Sequence, residues 1–425
     1  MGQGERANLG CKADVWTDLQ SPEGTRVEGP MRSRNAIAAL LLLGISVSLF
    51  VFNRRAGSSH ALLSFVPSPV WTADIGRVTI PLALAPDGTV YALTDAGDLK
   101  AIDRHGIIRW SRSARASGRI HVAPAVGTDG AIYLLEYSKL VVFNPDGTFR
   151  TEQVMNTAGL ADGIALTDKR LYTECARGGA CGWLLGAESD AVWTVNEGPF
   201  LAAPIIEPDG ITFWGGNRLM AVGEPNPILK WTYPSGTAAR QEERHEPAAM
   251  QGDETVHIQG LAAGAEGTIY VSGDSGIVAV DAAGHEKWEL TVPTAPRREP
   301  VVASDGTIYF ASEDHHLHAL HPDSRKAWTV ATKSAIGQPL LGSAGTIFFT
   351  DAKYLRAVDS LGHDRWSIAL DEDVWGSPTL GKDGTLYVAT IKGTLYAIPV
   401  GENLMQSSWP KFQANARNSG QAGIP

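Results

Sequence analysis

The chain is 425 residues long, carries a formal charge of −10 and is 44% hydrophobic. That length supports a large core, and the acidic balance excludes nucleic acid and an anionic lipid surface as partners for the body of the chain, because both select for basic surfaces. Its 46 glycines suit a β fold dense in turns.

Residues 1–35 are polar, lack periodicity and are expected to form a disordered tail. Met31 opens Met31-Arg-Ser-Arg34-Asn, a basic run directly before an apolar one, so Met31 is an alternative start to Met1. Leu9-Gly10-Cys11 has the look of a lipoprotein signal, but no apolar run precedes it. Residues 36–52 are 17 positions without a charge, roughly 25 Å as a helix against a hydrocarbon core of ~30 Å. The run exceeds an ordinary signal core, and Asn53-Arg54-Arg55 follows at once. It reads as an uncleaved transmembrane helix, with cleavage near Ser59-His60-Ala61 as the alternative. Arg26, Arg32 and Arg34 before it outweigh Arg54 and Arg55 after it, which puts the N-terminus inside and the remainder outside the cytoplasm. Residues 53–69 are a linker.

From residue 70 to 425 the chain repeats. Ala101-Ile-Asp103-Arg-His-Gly106-Ile-Ile-Arg109-Trp110 returns as Ala279-Val-Asp281-Ala-Ala-Gly284-His-Glu-Lys287-Trp288 and as Ala357-Val-Asp359-Ser-Leu-Gly362-His-Asp-Arg365-Trp366. The skeleton is A-x-D-x-x-G-x-x-[KR]-W. A turn-and-strand phrase ending in an aromatic precedes each copy. That aromatic falls at Tyr91, Tyr133, Tyr172, Phe213, Tyr270, Tyr309, Phe348 and Tyr387, at intervals of 42, 39, 41, 57, 39, 39 and 39 residues. These are eight units with one stretched interval, and self-similarity of this kind dictates architecture.

The unit around Tyr309 reads as four strands: Pro300–Val302, an Asp305-Gly306 turn, Thr307–Phe310, Leu317–Leu320 and Ala327–Val330. Four-stranded units of about 40 residues predict an all-β, eight-bladed β-propeller of antiparallel blades forming one domain. Trp110, Trp193, Trp231, Trp288, Trp328 and Trp366 are expected in the gaps between blades. The alanine is expected to keep the next blade close, and the glycine to supply a positive φ. Unit 2 has Thr151 where the tryptophan belongs, so its gap must be filled otherwise. Unit 3 is the most degraded. Val70-Trp71-Thr72-Ala73 resembles a fourth strand with no blade of its own, so it is expected to complete the last blade and close the ring; Ser407-Ser408-Trp409 is the alternative. The stretched interval is an insertion, Thr232–Ile258, expected at the rim as a solvated or partner-contacting loop.

The A-x-D-x-x-G-x-x-[KR]-W phrase resembles the tryptophan-docking motif of quinoprotein-type (PQQ-like) β-propellers, from about residue 70 to the end. Ser408-Trp409-Pro410-Lys411-Phe412…Asn418-Ser-Gly420 is similar to a tail of such proteins. In architecture the chain resembles the propeller subunit of the outer-membrane protein assembly machinery, differing in its anchor and its lack of a lipobox. The resemblance implies a protein-binding scaffold. For the enzymes of the superfold it implies a quinone and a calcium ion on the axis, an Asp base and often adjacent cysteines. The adjacent cysteines are absent, so no catalytic residue is carried over and no cofactor is expected; PQQ with calcium remains the alternative.

Cys175 and Cys181 flank two glycines after a strand and read as a disulfide closing a hairpin, or as two free thiols. His315, His316, His318 and His321 read as surface strand histidines, with a metal site as the alternative. Asp371-Glu372-Asp373 reads as a solvated turn. The expectation is a single-pass, membrane-tethered, extracytoplasmic and monomeric propeller that binds protein partners at its rim.

Overall fold

The computed structural model describes residues 66–113, 122–136, 139–154, 163–175, 179–185, 193–195, 202–223, 228–234 and, with single gaps at 275, 293, 295, 297 and 416 and a double one at 335–336, residues 257–422. The chain divides into two units, 1–54 and 55–425, and every described residue falls in the second. The expected tail, the apolar segment 36–52, most of the linker and the bulk of the insertion lie outside the described residues. Among the described residues, no helix is long and apolar enough to cross a membrane.

The described residues form eight four-stranded antiparallel sheets. The innermost strand is short and wholly buried in seven blades, as in Ala83–Leu84, Ala125–Val126 and Val301–Val302, and longer in the fifth, Ile258–Ala263. The second and third strands are mostly apolar and buried, because each blade is sandwiched between two others, with polar residues such as Lys100 and Arg356 only half-buried in third strands. The fourth is mostly exposed, as in Ile108–Ser113. The unit around Tyr309 is built from Val301–Val302, Ile308–Ser312, His316–Leu320 and Lys326–Ala331, close to the expected bounds. Each blade therefore has a hairpin face, carrying the turns between strands one and two and between three and four. The opposite, crossover face carries the turns between two and three and the links to the next blade.

The ring closes as expected. Trp71–Asp74 pairs antiparallel with Thr394–Pro399, so the first strand of the fold is the outer strand of the last blade. The alternative closing strand does other work, since Trp409 is buried on the axis and bridges Val302.

The Asp-Gly pairs are turns. Asp87, Asp209, Asp305 and Asp383 each accept the backbone N–H two residues on, at 2.9–3.0 Å. The glycine after each has a positive φ. The insertion is shorter than expected at its start, because Thr232 lies inside the strand Ile228–Tyr233 and Ile258 opens the next one.

Candidate functional site: the blade seams and the plugged axis

The docking phrase resolves into one contact per residue. Trp110 donates its indole N–H to the Pro145 carbonyl at 2.9 Å, in the turn between strands three and four of the next blade. Trp231 reaches Ala282 at 2.9 Å, Trp288 Pro322 at 2.8 Å and Trp328 Ser360 at 2.9 Å. Trp71 reaches Arg104 at 2.8 Å, which makes it the docking indole of the closing blade. The acceptor is always the residue after the motif aspartate or its equivalent. The aspartate shapes that turn: Asp103 Oδ1 accepts the N–H groups of His105 (2.8 Å) and Ile107 (2.9 Å), and Asp281 and Asp359 repeat the pattern. Burial works against the Asp103 charge, but those two N–H groups and Arg109 hold its carboxyl below the usual range.

The glycine has two reasons to be glycine. Gly106, Gly284 and Gly362 sit at φ of 81°, 87° and 84°. A Cβ on Gly284 would also lie 2.6 Å from the Trp231 ring, and one on Gly362 would lie 2.9 Å from Trp328. In blade six Ser324 adopts the same positive φ in place of glycine.

The alanine lies in the seam as expected, fully buried in a cluster shared with the next blade at Ala101, Ala279 and Ala319, and it has a second role. Ala101, Ala279, Ala319 and Ala357 pair across strands with the tryptophan of their own blade, at Trp110, Trp288, Trp328 and Trp366. A bulge follows the alanine each time. A small residue there leaves room for the indole to lie down on the sheet and reach across the seam. The strand-two aromatic then meets the indole, with centroids 5.6–5.9 Å apart for Tyr91, Phe213, Tyr270, Tyr309, Phe348 and, around the closure, Tyr387 with Trp71. Such tilted pairs add about 0.5–1.5 kcal/mol beyond area burial. Trp366 packs within the cluster of Phe348, Val400 and Leu404. Trp193 opens the outer strand of blade three, opposite Gly182, and its side chain lies outside the described residues.

Blade two breaks the pattern with a matched exchange. Val142 stands at the alanine position and pairs with Thr151. Volume has moved from the outer strand to the third. A cleft of about 200 Å³ remains, lined by Tyr133, Val142, Thr151 and Arg150 of blade two and by Asp168 and Leu185 of blade three.

The axis was not legible in advance. Residues 408–422 cross the hairpin-face mouth as a plug. The carbonyls of Trp409, Pro410, Arg417, Ser419 and Gly420 accept N–H groups from Val302, Leu341, Val126, Leu166 and Ile206 at 2.7–2.9 Å. Ser408 Oγ donates to Ala263 O, and Asn418 Nδ2 donates to Leu82 O and Pro124 O. The tail thus reaches seven blades. The inner strands present buried N–H groups to the axis, and these need acceptors. At the tail's centre Lys411, 1% exposed, donates to Phe412 O (2.9 Å), Asn415 O (3.1 Å) and Asn418 Oδ1 (2.6 Å). Burial pushes its pKa down to about 7, while the Glu299 carboxylate acts in the opposite direction. Gly420 closes the plug at φ 65°, where a Cβ would lie 2.8 Å from Ala165.

The histidine group makes contacts within blade six. His318 stacks on Phe310 at 4.8 Å, and its Nε2 lies 3.1 Å from Asp314 and 3.0 Å from Ser312 Oγ. His315 lies in the preceding turn at φ 60°, not on the strand. Among the described residues no group of three or more His, Cys, Asp or Glu is arranged to hold a metal. Asp371 accepts Thr394 Oγ1 at 2.6 Å at the outer part of blade eight, away from the axis. Cys181 is disulfide-bonded; the Cys175 side chain lies outside the described residues.

The family model described as outer membrane protein assembly factor BamB matches residues 191–353. The crystal structure of BamB from Moraxella catarrhalis superposes with a TM-score of 0.63 at 14% identity, over 79% of this chain and 100% of that one. The computationally designed Ika8 protein gives 0.60 at 12% identity, over 77% and 99%. No curated protein sequence matches the chain. With its repeat, its seams and its eight sheets, the chain is an eight-bladed β-propeller that resembles the family described as outer membrane protein assembly factor BamB over residues 191–353.

Proposed function

We propose that this propeller is a non-catalytic scaffold that binds other proteins, tethered through residues 36–52 on the extracytoplasmic side of a membrane. The observation that carries this reading is the use made of the axis. Its hairpin-face mouth is taken up by the chain's own tail. An anionic quinone with a calcium ion would need cationic and carboxylate donors there. Lys411 directs its three N–H bonds to the tail's own oxygens, and Glu299 faces Gln338 and the Gln413 backbone. The residues at this mouth do not fit that cofactor. A ring held from within is rigid, and rigid rings present loops to partners.

The crossover face is the contact surface in this reading. Pro234 and His257, which flank the insertion, belong to a strand-four-to-strand-one link and so lie on that face. The disulfide at Cys181 supports an oxidising compartment, with Cys175 as the proposed partner. Crosslinking in intact membranes, with and without residues 235–256, tests the assignment. The expected result is a protein captured by the full chain and lost on deletion; unchanged capture removes the insertion as the contact. The enzyme reading is tested by adding PQQ and calcium, where a retained chromophore with dye-linked dehydrogenase activity would overturn the scaffold.

A further inference from the structure

We infer that the cleft between blades two and three is a docking site for a tryptophan side chain supplied by a partner protein. The molecule furnishes its own template. In five seams an indole lies beside a strand-two aromatic or across from a small strand-three residue and donates its N–H to the neighbouring blade. The seam after blade two keeps the aromatic, Tyr133, and the space, about 200 Å³, but Thr151 cannot fill it. Val142 narrows the floor without closing it.

The walls also match an indole chemically. Tyr133 and Val142 are buried, at 4% and 3% exposure, and form an apolar floor, while Thr151 is exposed at the lip. Burial, together with the nearby Asp129 charge, raises the Tyr133 pKa, so the phenol stays neutral beside a ring. Asp168, already accepting from Thr128 Oγ1 at 2.6 Å, offers a second oxygen to an N–H at the blade-three side. Arg150, paired with Asp129 across the opening, adds a cation at the rim of an aromatic site. Buried aromatic anchors in such pockets dominate protein interfaces.

The identity of the supplier rests on the scaffold reading; the pocket does not. The probe is N-acetyl-tryptophanamide, titrated against the full-length chain in detergent and followed by ligand-observed NMR. Saturable binding is expected in the wild type. Two fillings are compared: Val142→Ala with Thr151→Trp, which rebuilds the sister seam, and Thr151→Met, which needs no compensating change. Both should weaken the probe by about tenfold or more, with the far-ultraviolet spectrum unchanged. No saturable binding to the wild type, or unchanged binding in both filled variants, overturns the site. Membrane crosslinking then separates the two ideas. Probe binding without any captured protein defeats the scaffold reading and leaves the pocket standing, whereas capture without probe binding does the reverse.

Discussion

The seam between blades six and seven and the seam between blades two and three start from the same frame and end differently. In the first, Trp328 lies against Tyr309 and opposite Ala319, caps Ser360 and covers Gly362. In the second, Thr151 faces Val142 and the Tyr133 ring meets open space. The difference teaches that the motif is a single mechanical unit. Once the indole goes, the alanine is released from its size limit and the turn glycine from its contact. Blade position then depends on what remains common to both seams, namely the short inner strands and the tail that joins them.

The largest effect should come from that common element. Lys411→Met leaves the Phe412 carbonyl and Asn418 Oδ1 without this donor, and about 2–4 kcal/mol of stability should disappear in urea unfolding. The wild type should also show a matching pH dependence. Lys411 has a folded pKa lowered to about 7. Between there and the ordinary lysine value near 10.5 the unfolded chain binds the extra proton, so stability rises with pH across that window and is flat below it. The methionine variant should lose this rise, and an identical profile in both proteins would contradict the assignment.

Next in size, Trp328→Ala should cost about 3 kcal/mol, whereas Thr151→Ala should stay within about 0.5 kcal/mol. Equal losses by thermal denaturation would erase the contrast between the two seams. Gly362→Ala combines a left-handed φ with a Cβ 2.9 Å from the Trp328 ring, and a loss of about 2 kcal/mol is expected. The smallest effect sharpens the contrast from the other side. Val142→Ala with Thr151→Trp should raise stability by about 1 kcal/mol, since it restores the aromatic pair seen elsewhere. A destabilised double variant would show that blade three cannot approach as its sisters do.

What could be read from the sequence was what repeats. Asp103, Gly106 and Trp110 act within one blade and its neighbour, and three full copies among eight units make their spacing visible. Ring closure was also legible, because Trp71 carries a fourth-strand pattern with no blade around it. The alanine was legible as a size limit at the seam, whereas its pairing with the indole inside a bulged hairpin leaves no trace in a one-dimensional pattern. The plug was illegible for a related reason. Asn418 meets Leu82 and Pro124, partners 336 and 294 residues away, and no other segment repeats the arrangement. Nothing in the sequence around Lys411 marks its burial, which appears only once the fold surrounds it.

The closing blade borrows its outer strand from the start of the fold, and this carries a cost in time. As the chain leaves the ribosome, Trp71–Asp74 has nothing to pair with until Thr394–Pro399 has been made. For that whole interval the growing protein has an open sheet edge at each end, the condition under which nascent β proteins stick to one another. The latch between first and last joins the strands farthest apart in the sequence, so the ring can close only after its last blade has been synthesised.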